Sequence, residues 1–297
     1  MVAAPGEGGT GEGGRPATAG RPPAPGPDGP GPAGPVLRLQ GIGKHFGPVE
    51  ALAGIDLDIP AGQVTALVGD NGAGKTTLVK CIAGSWPPST GQILWQGRPV
   101  HIHGPKDAAD LGIATVYQDL ALCDNLDIVQ NMLLGREPLS HGFLDEIAME
   151  KTAKRTLADL AVTSVRSVRQ AVGSLSGGQR QAVAVARAIM AEAKLVIMDE
   201  PTAALGVSQT ELVLSLITRL ASRGHAVIVI SHNLNDVFRV ADRIAVLYLG
   251  RLVAAGPAAE FDRQSVVDLM TTGATSRQVN GNGDDVPVRG GSTGSEG

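Results

Sequence analysis

The chain has 297 residues and a formal net charge of −4 at pH 7, and its Lys and Arg residues are scattered, which argues against extensive non-specific DNA binding. Its two cysteines, Cys81 and Cys123, fit a reducing compartment and argue against a structural disulfide. No stretch reaches the roughly 18 uninterrupted apolar residues of a membrane span, and the start lacks the basic and apolar regions of a secretory signal, so we expect a cytosolic chain.

The two ends of the chain differ in composition from the middle. Gly or Pro occupies 20 of the first 35 positions, and the end is polar and Gly-rich from about Gly273. Segments of this composition bury too little apolar surface to fold. We therefore expect disordered tails at residues 1–35 and 273–297, and one folded α/β domain at residues 36–272.

Short alternating stretches at the start of this domain predict an antiparallel sheet. In IDLDIP, the residues Ile55, Leu57 and Ile59 alternate with two aspartates, and VLRLQGI and QILWQGRPV are also short and strand-like. Antiparallel sheets commonly have one face on a core and one face in water. We expect this sheet to flank the core of the domain.

The segment GDNGAGKTT has the spacing of a phosphate-binding loop. It follows QVTALV, which predicts a buried strand, and precedes LVKCIAG, whose apolar residues lie at helical spacing. Glycines let such a loop wrap the phosphates, Lys75 would reach the β and γ phosphates, and Thr76 would bind Mg²⁺. The residues expected to bind nucleotide here are Gly69, Asp70, Asn71, Gly72, Ala73, Gly74, Lys75, Thr76 and Thr77.

The next part of the chain has a helical pattern. EIAMEKTAKRTLADLAV places Ile147, Ala148, Leu157 and Leu160 roughly on one side of a helix. The preceding stretch, LALCDNLDIVQNMLLG, is richer in apolar residues than a solvated helix needs. Two interpretations stay open for it: packing within a helical subdomain, at about residues 119–190, or forming a groove for a helix of a partner protein.

The LSGGQ segment, residues 175–179, stands directly before another helical pattern. A serine, two glycines and an amide side chain at the start of a helix would present backbone N–H groups to an anion. One side of the following helix is apolar and would pack on the domain core. That side consists of Ala182, Val183, Ala186, Ile189 and Met190.

LVIMDEP predicts a central strand followed by two carboxylates. Asp199, at the carboxyl end of the strand, can hold Mg²⁺ directly or through water. Glu200 follows immediately and is placed to polarise an attacking water. Taken alone, Asp-Glu-Pro could be a structural turn. The upstream phosphate-binding pattern favours the functional interpretation.

The remaining strands complete the core. Unbroken apolar runs at residues 64–68, 195–198 and 227–230 predict a buried parallel sheet. RIAVLYLGRLVAAG predicts a hairpin that turns at Gly250.

With the phosphate-binding pattern upstream, LSGGQRQAVAVARAIMAEAKLVIMDEP resembles the ATP-binding cassette (ABC) family, the motor subunits of ABC transporters. The resemblance covers residues 36 to about 270. It implies an α/β fold of the P-loop NTPase type, with a RecA-like parallel-sheet core, an antiparallel β subdomain and an inserted helical subdomain. It also implies ATP and Mg²⁺ as cofactors, and ATP hydrolysis as the activity.

In that family the LSGGQ segment contacts the γ phosphate of ATP held by the partner subunit. The resemblance therefore implies that Ser176, Gly177, Gly178 and Gln179 act on nucleotide bound to another chain. One chain with one phosphate loop and one LSGGQ segment cannot complete a site alone. Two chains arranged head to tail around a two-fold axis complete two sites.

Three further residues match functional positions of the family. Phe46, in KHFGPVEAL, matches the aromatic residue that stacks on adenine; Gln118, in VYQDLAL, matches the glutamine that links the Mg²⁺ and water site to the transport partner. His232, which ends AVIVISHN, matches the histidine that hydrogen-bonds the γ phosphate and orients the water. Without the resemblance, a core phenylalanine, a polar residue at a strand end and a structural histidine are the alternatives.

One position departs from the family pattern. Where the family commonly reads Ser-Ala-Leu-Asp, this chain reads TAALGVSQT, with Gly206 in place of the aspartate. That aspartate communicates across the dimer interface, so the coupling of the two ATP sites is in doubt, whereas Glu200 and His232 remain and predict hydrolysis. The variant, together with VYQDLALCDNLDIVQNMLLGRE, resembles the simple-sugar (ribose, xylose or fructose) branch of bacterial importers.

The resemblance implies a peripheral ATPase at the cytoplasmic face of the cell membrane that energises import of a simple sugar. Its partners would be a second cassette subunit in a homodimer, transmembrane permease subunits and, indirectly, a solute-binding protein, with no nucleic acid. An exporter subunit stays open. A soluble cassette acting on nucleic acid or ribosomes would need a coiled-coil or zinc insertion, or a second cassette, which this sequence lacks. A scaffold with little hydrolysis is suggested only by Gly206.

Overall fold

The computed structural model of the protein describes residues 34–162 and 164–274. These residues lie in one compact unit that begins at Gly34. The predicted tails fall outside them, apart from residues 34, 35, 273 and 274, and their disorder stays a prediction. None of the helices in the described part of the chain is long and apolar enough to cross a membrane.

The described residues form twelve strands and eight α-helices. The strands are β1 (Leu37–Phe46), β2 (Val49–Ile59), β3 (Val64–Val68), β4 (Thr90–Trp95), β5 (Arg98–Val100), β6 (Ile113–Val116), β7 (Leu139–Ser140), β8 (Phe143–Leu144), β9 (Leu195–Asp199), β10 (Ala226–Ile230), β11 (Arg243–Tyr248) and β12 (Arg251–Pro257). The helices are α1 (Lys75–Ile82), α2 (Pro105–Leu111), α3 (Ile128–Leu133), α4 (Glu146–Asp159), α5 (Gly177–Met190), α6 (Val207–Ser222), α7 (Leu234–Val240) and α8 (Arg263–Thr272).

A six-stranded sheet with the order β12-β11-β3-β10-β9-β6 forms the core. All neighbouring strands are parallel except β11 and β12, which form the hairpin predicted around Gly250. Every residue of β3 and β10 is buried, because the sheet is covered on both faces. The three strands expected from unbroken apolar runs, β3, β9 and β10, are therefore confirmed and lie side by side.

The expected antiparallel sheet is also present, with the order β2-β1-β4-β5. The alternating residues Ile55, Leu57 and Ile59 are buried on β2, and they share one apolar cluster with α1 and the core strands. The strand is longer than its alternating part, because it starts at Val49. Its first residues reach the carboxyl edge of the core sheet, where they border the pocket described below.

The helices α3, α4 and α5 pack against one another and bury a common apolar cluster. On α4 the buried residues are Met149, Ala153, Thr156 and Leu157. The expectation that Ile147 lies on this side was wrong, since its side chain is 84% exposed. Ile147 is two positions from Met149, and at 3.6 residues per turn this places it about 200° away around the helix.

The loop before α3 is held by one fully buried polar side chain, Asn131. Its Nδ2 donates to the carbonyl oxygens of Cys123 (2.9 Å), Leu126 (3.3 Å) and Asp127 (3.0 Å). Its Oδ1 accepts from the backbone N–H of Cys123 at 2.7 Å. One amide thus satisfies four backbone groups in the segment that leads from Gln118 to the helices.

We expect Asn131→Ala to lower the free energy of unfolding by about 2–4 kcal/mol, because it leaves several buried backbone groups without a partner. Urea denaturation of the full chain would measure the loss. The matched control is Gln130→Ala, which removes one exposed hydrogen bond to the backbone N–H of Asp127 at the start of α3. It should lower the free energy of unfolding by only about 1 kcal/mol. Equal losses in the two variants would contradict the prediction.

Candidate functional site

Four strands of the core sheet end at the same edge, and a predicted site residue follows each of them. Gly69 follows β3, Gln118 lies two residues after β6, Glu200 follows β9, and His232 lies two residues after β10. Ligands of open parallel sheets bind outside this carboxyl edge. A pocket of about 510 Å³ opens there. The predicted residues that line it are Asn71, Gly72, Gly74, Lys75, Thr76, Thr77, Gln118, Asp199 and Glu200.

The phosphate loop requires glycine at two of its positions. At Gly69 the φ angle is 154°, and a Cβ there would overlap the carbonyl oxygen of Leu247. At Gly74, with φ 103°, a Cβ would lie 3.0 Å from the carbonyl oxygen of Ala51. The loop runs directly into α1, which has no side-chain cap, so the free N–H groups of the first turn of the helix are available to an anion.

Lys75 is the cation of this pocket. Its side chain is buried, and its Nζ donates to the carbonyl oxygens of Gly69 at 2.7 Å and Asp70 at 2.9 Å. Burial lowers the pKa of Lys75, while the nearby carboxylates of Glu200, Asp70 and Asp199 oppose that shift. The ammonium therefore lies at the base of the loop, held by neutral oxygens that a phosphate group can replace.

Two adjacent carboxylates face Lys75. Burial raises the pKa of Asp199, Glu200 raises it further, and Lys75 opposes the shift. Glu200 has a φ of 48°, a left-handed conformation that is strained for this residue type. Its backbone N–H donates to the carbonyl oxygen of Ile230 at 2.9 Å, and its Oε2 lies 2.9 Å from Nδ1 of His232. The end of β10 thus fixes the carboxylate that sequence reasoning selected as the base.

The pocket offers oxygen ligands that suit Mg²⁺. The Thr76 hydroxyl, the Gln118 amide and the Asp199 carboxylate belong to residues of the same lining. No group of three or more His, Cys, Asp or Glu residues in the described part of the chain could hold a metal by itself. Mg²⁺ is usually bound by one or two carboxylates together with phosphate oxygens of a substrate. The residues present fit a metal that arrives with a nucleotide.

The LSGGQ segment forms the start of α5. Ser176 is the N-cap: its Oγ accepts from the backbone N–H of Gln179 at 3.4 Å, and Oε1 of Gln179 accepts from the N–H of Ser176 at 3.0 Å. The N–H groups of Gly177 and Gly178, at the first two helical positions, have no acceptor within the helix. The Ser176 hydroxyl hydrogen is also still free to donate, since its oxygen is only an acceptor in the cap.

Both glycines of the segment pack closely against neighbouring residues. A Cβ on Gly178 would lie 3.1 Å from Cβ of Gln209 and 3.2 Å from its Cα, and a Cβ on Gly177 would lie 2.6 Å from the side chain of Leu205.

The pocket next to the LSGGQ segment is distinct from the phosphate-loop pocket. Gly177 lines it, and the two pockets share Gln118 and Glu200. The start of α5 therefore does not line the pocket of its own phosphate loop.

Phe46 lies outside the lining of the phosphate-loop pocket. It ends β1, is 41% exposed, and its ring centroid is 4.9 Å from that of Trp86 at an interplanar angle of 76°. The core alternative for this residue is thereby wrong, while adenine stacking stays a prediction. The pocket lining also includes Val49 and Leu249, which sequence reasoning missed because neither belongs to a motif.

Gly206, the departure from the family pattern, is at the N-cap of α6. Its φ of −73° is ordinary for any residue, and a Cβ there would meet nothing within 4 Å. Packing in the single chain does not require glycine at this position.

The comparisons with known proteins agree with this geometry. The family model described as ABC transporter matches residues 52–203. The fructose import ATP-binding protein of Rhizobium meliloti is 44% identical over 80% of this chain and 94% of its own length. The xylose/arabinose import ATP-binding protein of Sulfolobus acidocaldarius is 42% identical over 82% of this chain and 96% of its own length.

A third relative is longer than this chain. The ribose import ATP-binding protein 3 of Rubrobacter xylanophilus is 41% identical over 79% of this chain, but the match spans only 47% of its own length. The chain thus spans about half the length of that relative.

Solved structures show the same fold. The protein cbiO1 from Clostridium perfringens, part of the ABC transporter complex cbiONQ, aligns over 81% of this chain and 96% of its own with a TM-score of 0.67 and 26% identity. MJ1267, an ATP-binding cassette of an ABC transporter, aligns over 79% of this chain and 96% of its own, with a TM-score of 0.69 and 26% identity.

Proposed function

Because the chain belongs to the ABC transporter family, whose ATP-binding subunits hydrolyse ATP, we propose that it energises a bacterial importer of a simple sugar. The observation that carries this proposal is the identity of 44% and 42% to two sugar-import ATP-binding proteins that the chain matches over 94% and 96% of their lengths. Both relatives are therefore nearly the same length as the part of this chain that they match.

The phosphate loop would bind the polyphosphate of ATP. Successive N–H groups from Gly69 to Thr77 surround the phosphates, and Lys75 exchanges its bonds to loop carbonyls for bonds to the β and γ phosphates. Mg²⁺ would be held by Thr76, Gln118 and Asp199, and when bound it neutralises charge that develops on the transferred phosphoryl group. Phe46 would stack on the adenine from the edge of the antiparallel sheet.

Glu200 and His232 would position and activate the attacking water. Glu200 is largely buried, with 19% of its side chain exposed, whereas His232 is 68% exposed and reaches Glu200 from the end of β10. A carboxylate held in a fixed conformation next to the metal site can accept the proton of the water as it attacks. The imidazole can hold the γ phosphate through the ring nitrogen that faces away from Glu200.

The LSGGQ segment would complete the site of a second copy of the chain. Ser176, Gly177 and Gly178 present free donors, and Gln179 holds the cap that orients them. None of the three donor residues lines the pocket of the phosphate loop in the same chain, which supports a two-fold dimer in which each ATP contacts both chains. Such donors act electrostatically on the negative charge of the γ phosphate.

A groove beside the ATP site would receive the permease. It has a volume of about 370 Å³ and lies between α2 and β6 on one side and α3 and α5 on the other. In the apolar stretch at residues 120–135, Met132 is buried in the helical cluster, as the packing interpretation expects. Leu134 is 50% exposed in the groove wall, which supports the proposal that a partner docks there. Tyr117, next to Gln118, lines the same groove. A cytoplasmic helix of a transmembrane permease would fit there and hold the subunit at the membrane.

We expect Leu134→Glu to reduce sugar uptake at least about tenfold while the ATPase activity of the isolated subunit stays within about twofold, because a charge in the groove opposes docking of an apolar helix. Sugar uptake is measured in cells that depend on this subunit, and ATPase activity is measured with the purified subunit. Leu139→Glu is the matched control, since Leu139 is 68% exposed and does not line the groove. Normal uptake by Leu134→Glu would remove the groove from the proposal.

The function itself is tested by purifying the intact subunit from its native membranes in mild detergent and identifying the proteins that accompany it. A multi-span permease and a sugar-binding protein are the expected companions. A permease without a binding protein would favour the exporter. Ribosomal or nucleic-acid partners without a membrane protein would overturn the proposal.

A further inference from the structure

The turn that follows Gln118 is strained. Ala121 has a φ of 48°, in the left-handed region. An alanine in that conformation is unfavourable by about 1 kcal/mol and persists only where the surrounding structure holds it. Within the turn itself, the backbone N–H of Ala121 donates to Oδ1 of Asp119 at a long 3.3 Å. This bond alone is a weak constraint on the conformation.

The stronger constraint comes from Arg187 on α5. Its Nη1 donates to the carbonyl oxygen of Ala121 at 3.0 Å, and its Nη2 donates to that of Leu120 at 3.2 Å. The guanidinium is a rigid planar fork, so two donors that engage successive carbonyls fix the orientation of both peptide groups. Arg187 therefore holds the strained residue and its neighbour in one arrangement.

Arg187 has an unusual environment for a charged side chain. It is half-buried, and burial lowers its pKa, although an arginine stays charged in proteins. Cys123 opposes this shift, and the acceptors of the guanidinium are neutral carbonyl oxygens. A desolvated charge whose acceptors are neutral carbonyls adds little net stability to a fold. Its consequence lies in the geometry that it imposes on the turn.

We propose that Arg187 is a positioning residue for ATP hydrolysis, which acts by holding the strained turn at Leu120 and Ala121 and thereby fixes Gln118 in the nucleotide pocket. The inference rests on the role proposed above for Gln118 in holding Mg²⁺. Arg187 also lines the groove described above, so one side chain connects the groove wall to the Gln118 turn.

The first test is Arg187→Met in the purified full-length subunit. Methionine keeps an unbranched stem but has no donors, so the turn is no longer held. We expect kcat for ATP hydrolysis to fall about tenfold to 100-fold, since a misplacement of about 1 Å can cost about 100-fold. The KM for ATP should stay within about twofold, because Lys75 and the loop are untouched, and half-maximal activity should need severalfold more Mg²⁺. The matched control is Arg155→Met, because Arg155 is an exposed arginine of α4. This variant should leave kcat, the KM for ATP and the Mg²⁺ requirement unchanged.

The second test is rescue by relief of the strain. Glycine adopts positive φ readily, so Ala121→Gly keeps the turn without help from Arg187. We expect Ala121→Gly alone to stay within about twofold of the wild type, and Ala121→Gly/Arg187→Met to regain most of the lost kcat. A purely structural role for Arg187 in the packing of α5 would not respond to a change at residue 121. If Arg187→Met does not fold, Arg187→Lys replaces it, because a lysine can donate well to only one of the two carbonyls. We then expect a smaller loss of kcat and the same recovery when Ala121→Gly is added.

Two results would overturn the proposal: a kcat for Arg187→Met, per folded protein, within twofold of the wild type, or a double variant no faster than Arg187→Met. Gln118→Ala separates this failure from that of the site assignment. If its Mg²⁺ dependence is unchanged, the proposed role of Gln118 is wrong, and the inference falls with it. All of these assays measure ATP hydrolysis by the subunit alone. Their results therefore do not depend on whether the sugar-import proposal is correct.

Discussion

Glu200→Gln is expected to lower kcat for ATP hydrolysis by about 10²–10⁴-fold, the range for loss of a general base, while ATP still binds. The amide has the shape of the carboxylate, but it cannot accept the proton of the attacking water. The strained backbone of Glu200 and its bond to Ile230 do not depend on the side-chain charge, so the local geometry should survive. With hydrolysis blocked and the interface intact, the variant should accumulate as a dimer with bound ATP.

Gel filtration with radiolabelled ATP would detect that dimer, and steady-state kinetics would measure the loss of kcat. Glu211→Gln is the matched control, because Glu211 forms an exposed pair with Arg239 at 2.6 Å and lies on α6, away from the pocket lining. An unchanged kcat for Glu200→Gln would mean that another group activates the water. A variant that binds ATP but stays monomeric would favour a scaffold or a partner other than a second copy.

Lys75→Ala is expected to weaken ATP binding by about 100-fold, or about 3 kcal/mol, because the pocket loses the buried cation that would face the β and γ phosphates. The carboxylates of Asp199 and Glu200 would then face the polyphosphate without a compensating charge. Equilibrium titration of the purified subunit with MgATP gives the Kd directly.

Lys154→Ala is the control for Lys75→Ala. Lys154 is 62% exposed on α4, where it pairs with Glu150 one turn away at 2.7 Å, and such surface pairs contribute little. Its Kd for ATP should equal that of the wild type. A Kd for Lys75→Ala within threefold of the wild type would show that the backbone N–H groups of the loop bind the phosphates without the lysine.

The core of the fold was predictable because its signals are local. Residues of β10 are apolar without interruption, and those of β3 are apolar apart from Thr65. Such runs are typical of parallel strands covered on both faces. The phosphate loop and the Asp199–Glu200 pair follow their strands directly, so the sheet edge brings them together whatever the rest of the chain does.

Other features were not predictable because they depend on tertiary contacts. The sequence of α4 offers several apolar faces, and packing against α3 and α5 selected the one with Met149 and left Ile147 in solvent. Asn131 and Arg187 have no motif to mark them, since both act on backbone groups of a loop. Asn131 holds the loop just before its own helix, and Arg187 holds a turn that is distant in the sequence. Phe46 could be core or surface by pattern alone, and its contact with Trp86 depends on how the antiparallel sheet meets the end of α1.

In the proposed dimer, each ATP is bound between the phosphate loop of one chain and the LSGGQ segment of another. The most direct test mixes two subunits that both carry Glu200→Gln, one with Lys75→Ala and the other with Ser176→Asp. Aspartate keeps the N-cap of α5 but places a negative charge against the phosphates. In a mixed dimer one site has both defects and the other has none.

Retained ATP after gel filtration is the measurement. If the site is shared, neither variant alone retains ATP and the equimolar mixture does, with roughly one intact site in every mixed dimer. If each chain binds ATP with its own loop and its own LSGGQ segment, every site in the mixture carries a defect. A mixture that retains no more ATP than the two variants measured separately would contradict the shared site.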